Sequence, residues 1–204
     1  MIVPVRSVCV YCGSNPGGRP EYAQGAVELA RAIVGRGARV VYGGARVGMM
    51  GALADAALDA GGEVVGVIPD HLVGAEVAHG GLSELHVVRS MHERKALMAE
   101  LSDGFVAPPG GIGTLEEFAE VATWSKLGIH AKPTGLLNVL GYYDRLLGFL
   151  DHAVSERFLR DEHRRMVISE PRPDALLDAM DRWVPPTGAR WLDSDGRAYD
   201  PGRP

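Results

Sequence analysis

The chain has 204 residues, of which 46% are hydrophobic and 23% charged, a composition typical of one folded globular domain and not of a disordered chain. A formal charge of −5 and a pI of about 5.8 leave no global basic field that could hold DNA, RNA or an acidic membrane. A small anion needs only a local site, and all but three of the 21 basic residues are arginines, whose planar forks suit phosphate and carboxylate.

The N-terminal residues 1–14 contain a short apolar run that is predicted as a first strand. They lack the basic start and small-residue cleavage site of a signal peptide, and no run reaches the ~18 apolar residues of a membrane helix, so we expect a soluble, cytoplasmic protein.

Cys9 and Cys12 form a single C-x-x-C motif. Because strand residues three apart face opposite sides of a sheet, and no second pair exists to complete a zinc site, we expect buried or half-buried free thiols.

Short β-rich runs alternate with helical patterns along the chain. Strands are predicted within residues 6–12, 38–44, 63–69, 84–89, 103–110, 134–139 and 165–170. Helices are predicted within residues 21–37, 48–62, 91–102, 114–128 and 142–158, where apolar residues recur at spacings of three and four. This alternation predicts an α/β fold with a parallel sheet covered on both faces, whose ligands bind beyond the carboxyl ends of the strands.

Glycine-rich turns follow three of the predicted strands. They are YCGSNPGG after the first strand, YGGARVGMMG after the second and PPGGIGT after the fifth. Because these turns share one edge of the sheet, they predict a site for a nucleotide-like ligand that bears a phosphate. No G-x-G-x-x-G motif occupies the first turn, which disfavours a dinucleotide dehydrogenase, and the H-E-x-x-H and G-x-S-x-G motifs of metal and serine hydrolases are missing.

The helix predicted to begin near Met91 carries an arginine in its apolar stripe. Arg94 lies on the same face as Met91, Leu97, Met98 and Leu101. A core-facing arginine is costly unless it meets an anion or a pocket, so Arg94 either forms a buried ion pair, lies at the rim of the stripe, or binds a ligand. Lys95 points about 100° away and, on periodicity alone, is expected to be a solvated surface lysine.

The stretch PPGGIGTLEE, residues 108–117, supports two interpretations of Glu117. Thr114 and Glu117 fit the S/T-x-x-E capping box, in which the glutamate stabilises the start of a helix. Glycines before a helix also form a phosphate-binding turn, because backbone N–H groups approach phosphate oxygens without interference from a Cβ atom. Glu117 would then be free for chemistry, and a carboxylate with an arginine suits cleavage of an N-glycosidic bond through an oxocarbenium-like centre.

Several of these segments together resemble one protein family. SMHERKALM (90–98), PGGIGTLEE (109–117) and TWSKLGIHAKPTGLLNVLGYYDRLL (123–147), with VYCGSNPG and YGGARVGMMG, are similar to the LOG ("Lonely Guy") family of cytokinin riboside 5′-monophosphate phosphoribohydrolases. Many such proteins were once labelled as lysine decarboxylases. The resemblance covers residues 6 to 184 and implies a Rossmann-like three-layer sandwich with a parallel sheet of about seven strands. It also implies a homodimer that hydrolyses the bond between an adenine-type base and ribose 5-phosphate, with a nucleoside 5′-monophosphate as substrate and no cofactor or metal.

The resemblance also assigns site residues. Arg94 and Glu117 match the catalytic pair. The substrate-binding positions are Glu76, Lys95, Gly110, Gly111, Ile112, Gly113, Thr114, Leu115, Glu116 and Thr123. We expect Thr114 and the preceding N–H groups to hold the 5′-phosphate, Glu117 to orient water or stabilise charge at C1′, and Arg94 to bind the ribose phosphate or hydroxyls and position Glu117. Ala45 departs from the third glycine that many members have in the second turn.

Some alternatives stay open at this stage. The same fold resembles molybdenum-cofactor carrier proteins, which would use the phosphate turn without turnover, and a pyridoxal-dependent decarboxylase would need a Schiff-base lysine. The residues do not show whether AMP or its prenylated form is preferred. They also do not show whether the helix at 114–127 serves an interface or the core.

Residues 1–184 are predicted as one domain, and residues 185–204, rich in Pro, Gly and Asp, as a loosely ordered tail without chemistry.

Overall fold

A computed structural model describes residues 5–73 and 78–185 of the chain. Its seven strands form one parallel sheet in the order β4-β3-β2-β1-β5-β6-β7. The strands are β1 (Ser7–Val10), β2 (Arg39–Tyr42), β3 (Val64–Pro69), β4 (Glu84–Val88), β5 (Gly104–Ala107), β6 (Thr134–Leu137) and β7 (Val167–Glu170). The predicted α/β class, parallel sheet and number of strands are confirmed.

The helices connect the strands and cover both faces of the sheet. They are α1 (Pro20–Gly35), α2 (Gly48–Asp59), α3 (Met91–Glu100), α4 (Ile112–Lys126), α5 (Asp144–Ser155), α6 (Asp161–Arg164) and α7 (Pro173–Asp181). Helices α6 and α7 were not predicted from the sequence. For α7 a signal was present, because a proline at its first position precedes Leu176, Leu177 and Met180, which are all buried at helical spacing.

Two apolar layers hold the helices on the sheet. On β1, Val8 and Val10 pack with α1, α2 and α7, while Cys9 packs with α3 and α4 on the opposite face. Cys12, just beyond β1, belongs to the first of these layers, so the two sulfurs diverge as predicted. Both cysteines are free and buried, and burial raises the pKa of each thiol far above its ordinary value, which keeps them protonated and unreactive.

The strand order fixes where a ligand can enter. The chain leaves β1 towards β2, β3 and β4, then returns to form β5 on the other side of β1. The turns after β1 and β5 therefore run in opposite directions and leave a crevice between them at the carboxyl edge of the sheet.

Within the described residues, no helix combines the length and apolar character needed to cross a membrane. The predicted tail lies outside the described part from residue 186 onward.

Candidate active site

A cavity of about 320 Å³ opens at this crevice. Its walls come from the turn after β1, the first turns of α2 and α3, and the junction between β5 and α4. The lining residues are Cys12, Gly13, Ser14, Asn15, Met50, Met91, Arg94, Gly110, Gly111, Gly113, Thr114, Glu116 and Glu117. The cavity thus collects residues of all the elements that the glycine-rich turns had pointed to.

Arg94 is the buried cation of the cavity, with 6% of its surface exposed. Its Nε donates to the carbonyl of Val67 and its Nη2 to the carbonyl of Gly43, each at 3.1 Å, while Nη1 lies 3.7 Å from Sδ of Met91. Within the described part of the chain, no carboxylate lies within ion-pair distance of Arg94. The buried ion pair considered from the sequence is therefore not formed there, and the guanidinium keeps its charge and spare N–H donors for the cavity.

Gly43 makes room for this guanidinium. An added Cβ atom at Gly43 would overlap Nη2 of Arg94, so only glycine allows the carbonyl and the arginine to meet. The neighbouring Ala45, where the family often has glycine, is fully buried, pairs with Ala78 and accepts a hydrogen bond from the Tyr42 hydroxyl at 3.2 Å. It does not line the cavity, so this departure leaves the cavity wall unchanged.

The start of α4 bears on the two interpretations of Glu117. The helix begins at Ile112, its N-cap is Gly111, and no side chain caps it. Thr114 is therefore the third helical residue, and the capping box, one of the two interpretations of Thr114 and Glu117, is not formed. The N–H of Leu115 bonds to the carbonyl of Gly111 at 3.1 Å, so the N–H groups before it have no partner within the helix. Together with the helix dipole, they form an anion-binding end at the cavity.

Two tyrosine hydroxyls form hydrogen bonds with the turn before α4. The Tyr143 hydroxyl donates to the carbonyl of Pro108 at 2.7 Å, and the Tyr142 hydroxyl donates to that of Gly110 at 2.6 Å. At Gly110 a Cβ atom would overlap the side chain of buried Thr114, which explains the glycine there. Both tyrosines belong to the GYYDRLL segment that carried the family resemblance, but no sequence pattern connects them with this turn.

Glu117 lies one turn into α4, half-buried at the cavity wall. Burial raises the pKa of its carboxyl to about 7, and the nearby charge of Arg94 opposes part of that rise. Among the described residues, none forms a hydrogen bond with the Glu117 carboxylate. A carboxyl group with a pKa near neutrality and free oxygens is suited to exchange a proton with water or with a substrate.

The remaining predicted site residues are distributed differently. Lys95 is buried and binds Glu116 and Glu120, with its Nζ 2.5 Å from Oε1 of Glu116 and 3.0 Å from Oε2 of Glu120, so it is not a solvated surface lysine. The cavity lining does not include Lys95, Ile112, Leu115 or Thr123. Leu115 and Thr123 instead line a separate apolar groove beside α5. Glu76 lies outside the described residues.

Six lining residues were not predicted individually. Four follow β1 (Cys12, Gly13, Ser14 and Asn15), and the other two are Met50 and Met91. The glycine-rich turn after the first strand was a usable signal for the first group, because parallel strands end at one edge.

In residues 5–73 and 78–185, no group of three or more His, Cys, Asp or Glu side chains could hold a metal ion.

Comparisons with known proteins show what the chain is similar to. A family model described as "Possible lysine decarboxylase" matches residues 50–180. The chain is 57% identical to a cytokinin riboside 5′-monophosphate phosphoribohydrolase of Rhodococcoides fascians, over 80% of this chain and 83% of that protein. It is 47% identical to the phosphoribohydrolase LOG of Oryza sativa subsp. japonica, over 96% of this chain and 82% of that protein. Among solved structures, the molybdenum cofactor carrier protein of Chlamydomonas reinhardtii shares the fold, with a TM-score of 0.62 at 21% identity, covering 85% of this chain and 94% of that one.

Ionisation of Glu117 is expected to cost folding stability. Its pKa rises from 4.5 to about 7 on folding, so the folded chain keeps a proton that the unfolded chain loses, and stability falls as the pH rises through this interval. Glutamine cannot ionise. We expect the melting temperature of Glu117→Gln to rise relative to wild type between about pH 5 and about pH 8. Thermal melts at the two pH values measure this, and a difference that stays constant with pH would contradict it.

Gly43→Ala should disturb the packing of the Arg94 guanidinium against the main chain. The new methyl group overlaps the guanidinium, and we expect a loss of about 1–3 kcal/mol in the free energy of unfolding. Gly35→Ala is the matched control, because a Cβ atom there meets no neighbouring atom and alanine favours the helix. Denaturant titration of both variants compares them, and equal effects would mean that Gly43 is not required for packing.

Proposed function

This chain belongs to the LOG family of cytokinin riboside 5′-monophosphate phosphoribohydrolases, and we propose that it hydrolyses the N-glycosidic bond of these nucleotides and of AMP. The products are the free base and ribose 5-phosphate. One observation carries the proposal: an arginine without a carboxylate partner among the described residues, a carboxyl group with a raised pKa and the uncapped end of α4 line one cavity. These are the groups that a phosphorylated sugar and its reacting carbon require.

The 5′-phosphate binds at the start of α4 in this proposal. The free N–H groups of the first helical turn and the hydroxyl of Thr114 supply donors, and the helix dipole favours the negative charge. No side chain competes for these donors, because the N-cap is Gly111 and lacks one. Gly111 and Gly113 also leave open space where a Cβ atom would stand, so a phosphate can approach the backbone closely.

Arg94 and Glu117 act on the sugar. As the bond between base and C1′ breaks, C1′ gains positive charge, which a carboxylate stabilises while it orients a water molecule. Water then forms a bond to C1′ and one of its protons passes to Glu117. The base leaves with the bonding electrons and takes up a proton from solvent, and Glu117 returns its proton to solvent. Arg94 binds the ribose phosphate or hydroxyls, and its charge favours the ionised form of Glu117.

The two other functions considered from the sequence have weaker support. The likeness to the carrier protein concerns the fold alone, at 21% identity. Pyridoxal-dependent decarboxylation would need a lysine for the Schiff base, but none of Lys95, Lys126 and Lys132 lines the cavity. The residues of the cavity therefore do not fit pyridoxal phosphate, and we derive no step through it.

We also propose that the chain forms a homodimer through the groove between α4 and α5. This groove has a volume of about 310 Å³ and is lined mainly by apolar side chains, including Phe118, Phe149 and Leu150. Phe149 is 63% exposed in the single chain, and burying it would remove apolar surface from water. Thr123, a substrate-contact position by resemblance, lines this groove and not the cavity of its own chain.

The reaction is tested by incubating the protein with isopentenyladenosine 5′-monophosphate and with AMP, followed by chromatography of the free base. We expect both bases to be released, and expect Glu117→Gln and Arg94→Ala each to lower kcat/KM by about 100-fold or more, as removal of a catalytic proton-transfer or charge-stabilising group does. The unphosphorylated riboside is the control substrate and should react poorly. Bound nucleotide without release of base would contradict the proposal, and near-normal turnover by Glu117→Gln would contradict its role.

The dimer is tested by light scattering with size-exclusion chromatography. Phe149→Asp should give a monomer, because it introduces a charge into the apolar groove. Phe158→Asp is the matched control, since Phe158 is 86% exposed and lies outside the groove. A wild-type monomer, or a dimer that survives Phe149→Asp, would show that the groove is not the interface.

A further inference from the structure

Lys95 holds an unusual position for a residue beside the site. Only 8% of its side chain is exposed, and its ammonium group binds two carboxylates of α4, Glu116 and Glu120. It stands next to Arg94 on α3, but its side chain leaves the helix in another direction, away from the cavity lining. All the described contacts of Nζ are therefore made across the junction between α3 and α4.

This junction joins the two halves of the site. Helix α3 carries Arg94, and helix α4 carries Glu117 together with the phosphate-binding end. Glu116 and Glu120 are four residues apart on α4, so one ammonium group between them fixes the helix at two points. A buried lysine paired with two carboxylates is costly to disturb, because the loss of either charge type leaves the other without its partner.

We propose that Lys95 is a positioning residue, which joins α3 to α4 through Glu116 and Glu120 and neutralises these carboxylates beside Glu117, and that it does not bind the substrate. The inference rests on the proposed hydrolase function for its kinetic consequences. It replaces the substrate contact that the family resemblance assigns to Lys95.

The charges around Glu117 give the proposal its measurable consequence. Arg94 and Lys95 face Glu117 from α3, Glu116 and Glu120 lie beside it on α4, and Cys9, Tyr11 and Cys12 approach it from the β1 segment. Burial raises the pKa of the thiols and of the Tyr11 hydroxyl, so these groups stay neutral. Two cations thus balance two anions around Glu117, and removal of Lys95 leaves an excess of negative charge that disfavours its ionisation.

The test compares four variants with wild type. They are Lys95→Met, the double variant Glu116→Gln/Glu120→Gln, the triple variant that combines all three changes, and Lys132→Met. Lys132 is the matched control, because its half-buried Nζ donates to the carbonyl of Ala99 at the end of α3 at 2.7 Å and lines neither the cavity nor the groove.

We expect Lys95→Met to lower kcat by about tenfold or more with a smaller change in KM, and to move the acid limb of the pH–rate profile up by about one unit. The kcat of the triple variant should match that of the double variant within about threefold, because the carboxylates that need Lys95 are then gone. The opposite result would be a loss of kcat/KM, expressed as a higher KM, that is as large from double to triple variant as from wild type to Lys95→Met. That result would overturn the proposal and make Lys95 a substrate contact.

A second readout does not depend on catalysis. The difference between the melting temperatures of Glu117→Gln and wild type grows with pH until Glu117 is ionised in the folded chain, so the pH at which it stops growing reports that ionisation. In the Lys95→Met background this upper limit should move to higher pH, and in the Lys132→Met background it should stay where it is. An unmoved upper limit in Lys95→Met would contradict the proposal. If wild type released no base, the proposed function would fail, while this measurement would still decide the role of Lys95.

Discussion

The buried guanidinium of Arg94 is the interaction on which the site depends. A charged group loses much of its hydration when it enters the protein, and the loss must be offset by hydrogen bonds or by an opposite charge. Here the main-chain carbonyls of Gly43, just after β2, and of Val67, within β3, accept its N–H groups, and Gly43 leaves the space for it. Because carbonyls satisfy the donors without cancelling the charge, the cation remains available to a ligand. A carboxylate in their place would have produced a stable core and an inert cavity.

The second constraint is the geometry of α4. A helix presents free N–H groups at its first turn and a side chain about one turn, or roughly 5 Å, further along. The start of α4 at Ile112 uses both properties, since its N–H groups attract an anion and Glu117 stands one turn beyond Thr114. The spacing in GTLEE that looks like a capping box therefore separates a phosphate from a carboxyl group. Lys95 keeps the two other carboxylates of this helix from adding their charge to the site.

The failures of the sequence predictions have physical causes. The capping box, one of two interpretations of GTLEE, is not formed because Gly111 adopts the extended N-cap conformation, so the helix begins before its polar signal. Lys95 was expected at the surface because periodicity describes only its own helix, whereas α4 packs against it with two carboxylates. Helix α7 was missed although Pro173 and the spacing of Leu176 and Met180 were visible in the sequence. Thr123 follows the site in sequence, but about two and a half helical turns carry it away from Thr114 along α4.

The sequence by itself determined the α/β class, the parallel sheet, the glycine-rich edge and the segments that identify the family. These features depend on local periodicity and on residue types that few other backbones require, so they can be read without knowing the neighbours of each residue. Only the tertiary structure decided that Arg94 is held by carbonyls, that Glu117 has a raised pKa, and that Lys95 faces Glu116 and Glu120. Each of these depends on burial and on a partner from a distant element, and both quantities exist only after the helices have packed on the sheet.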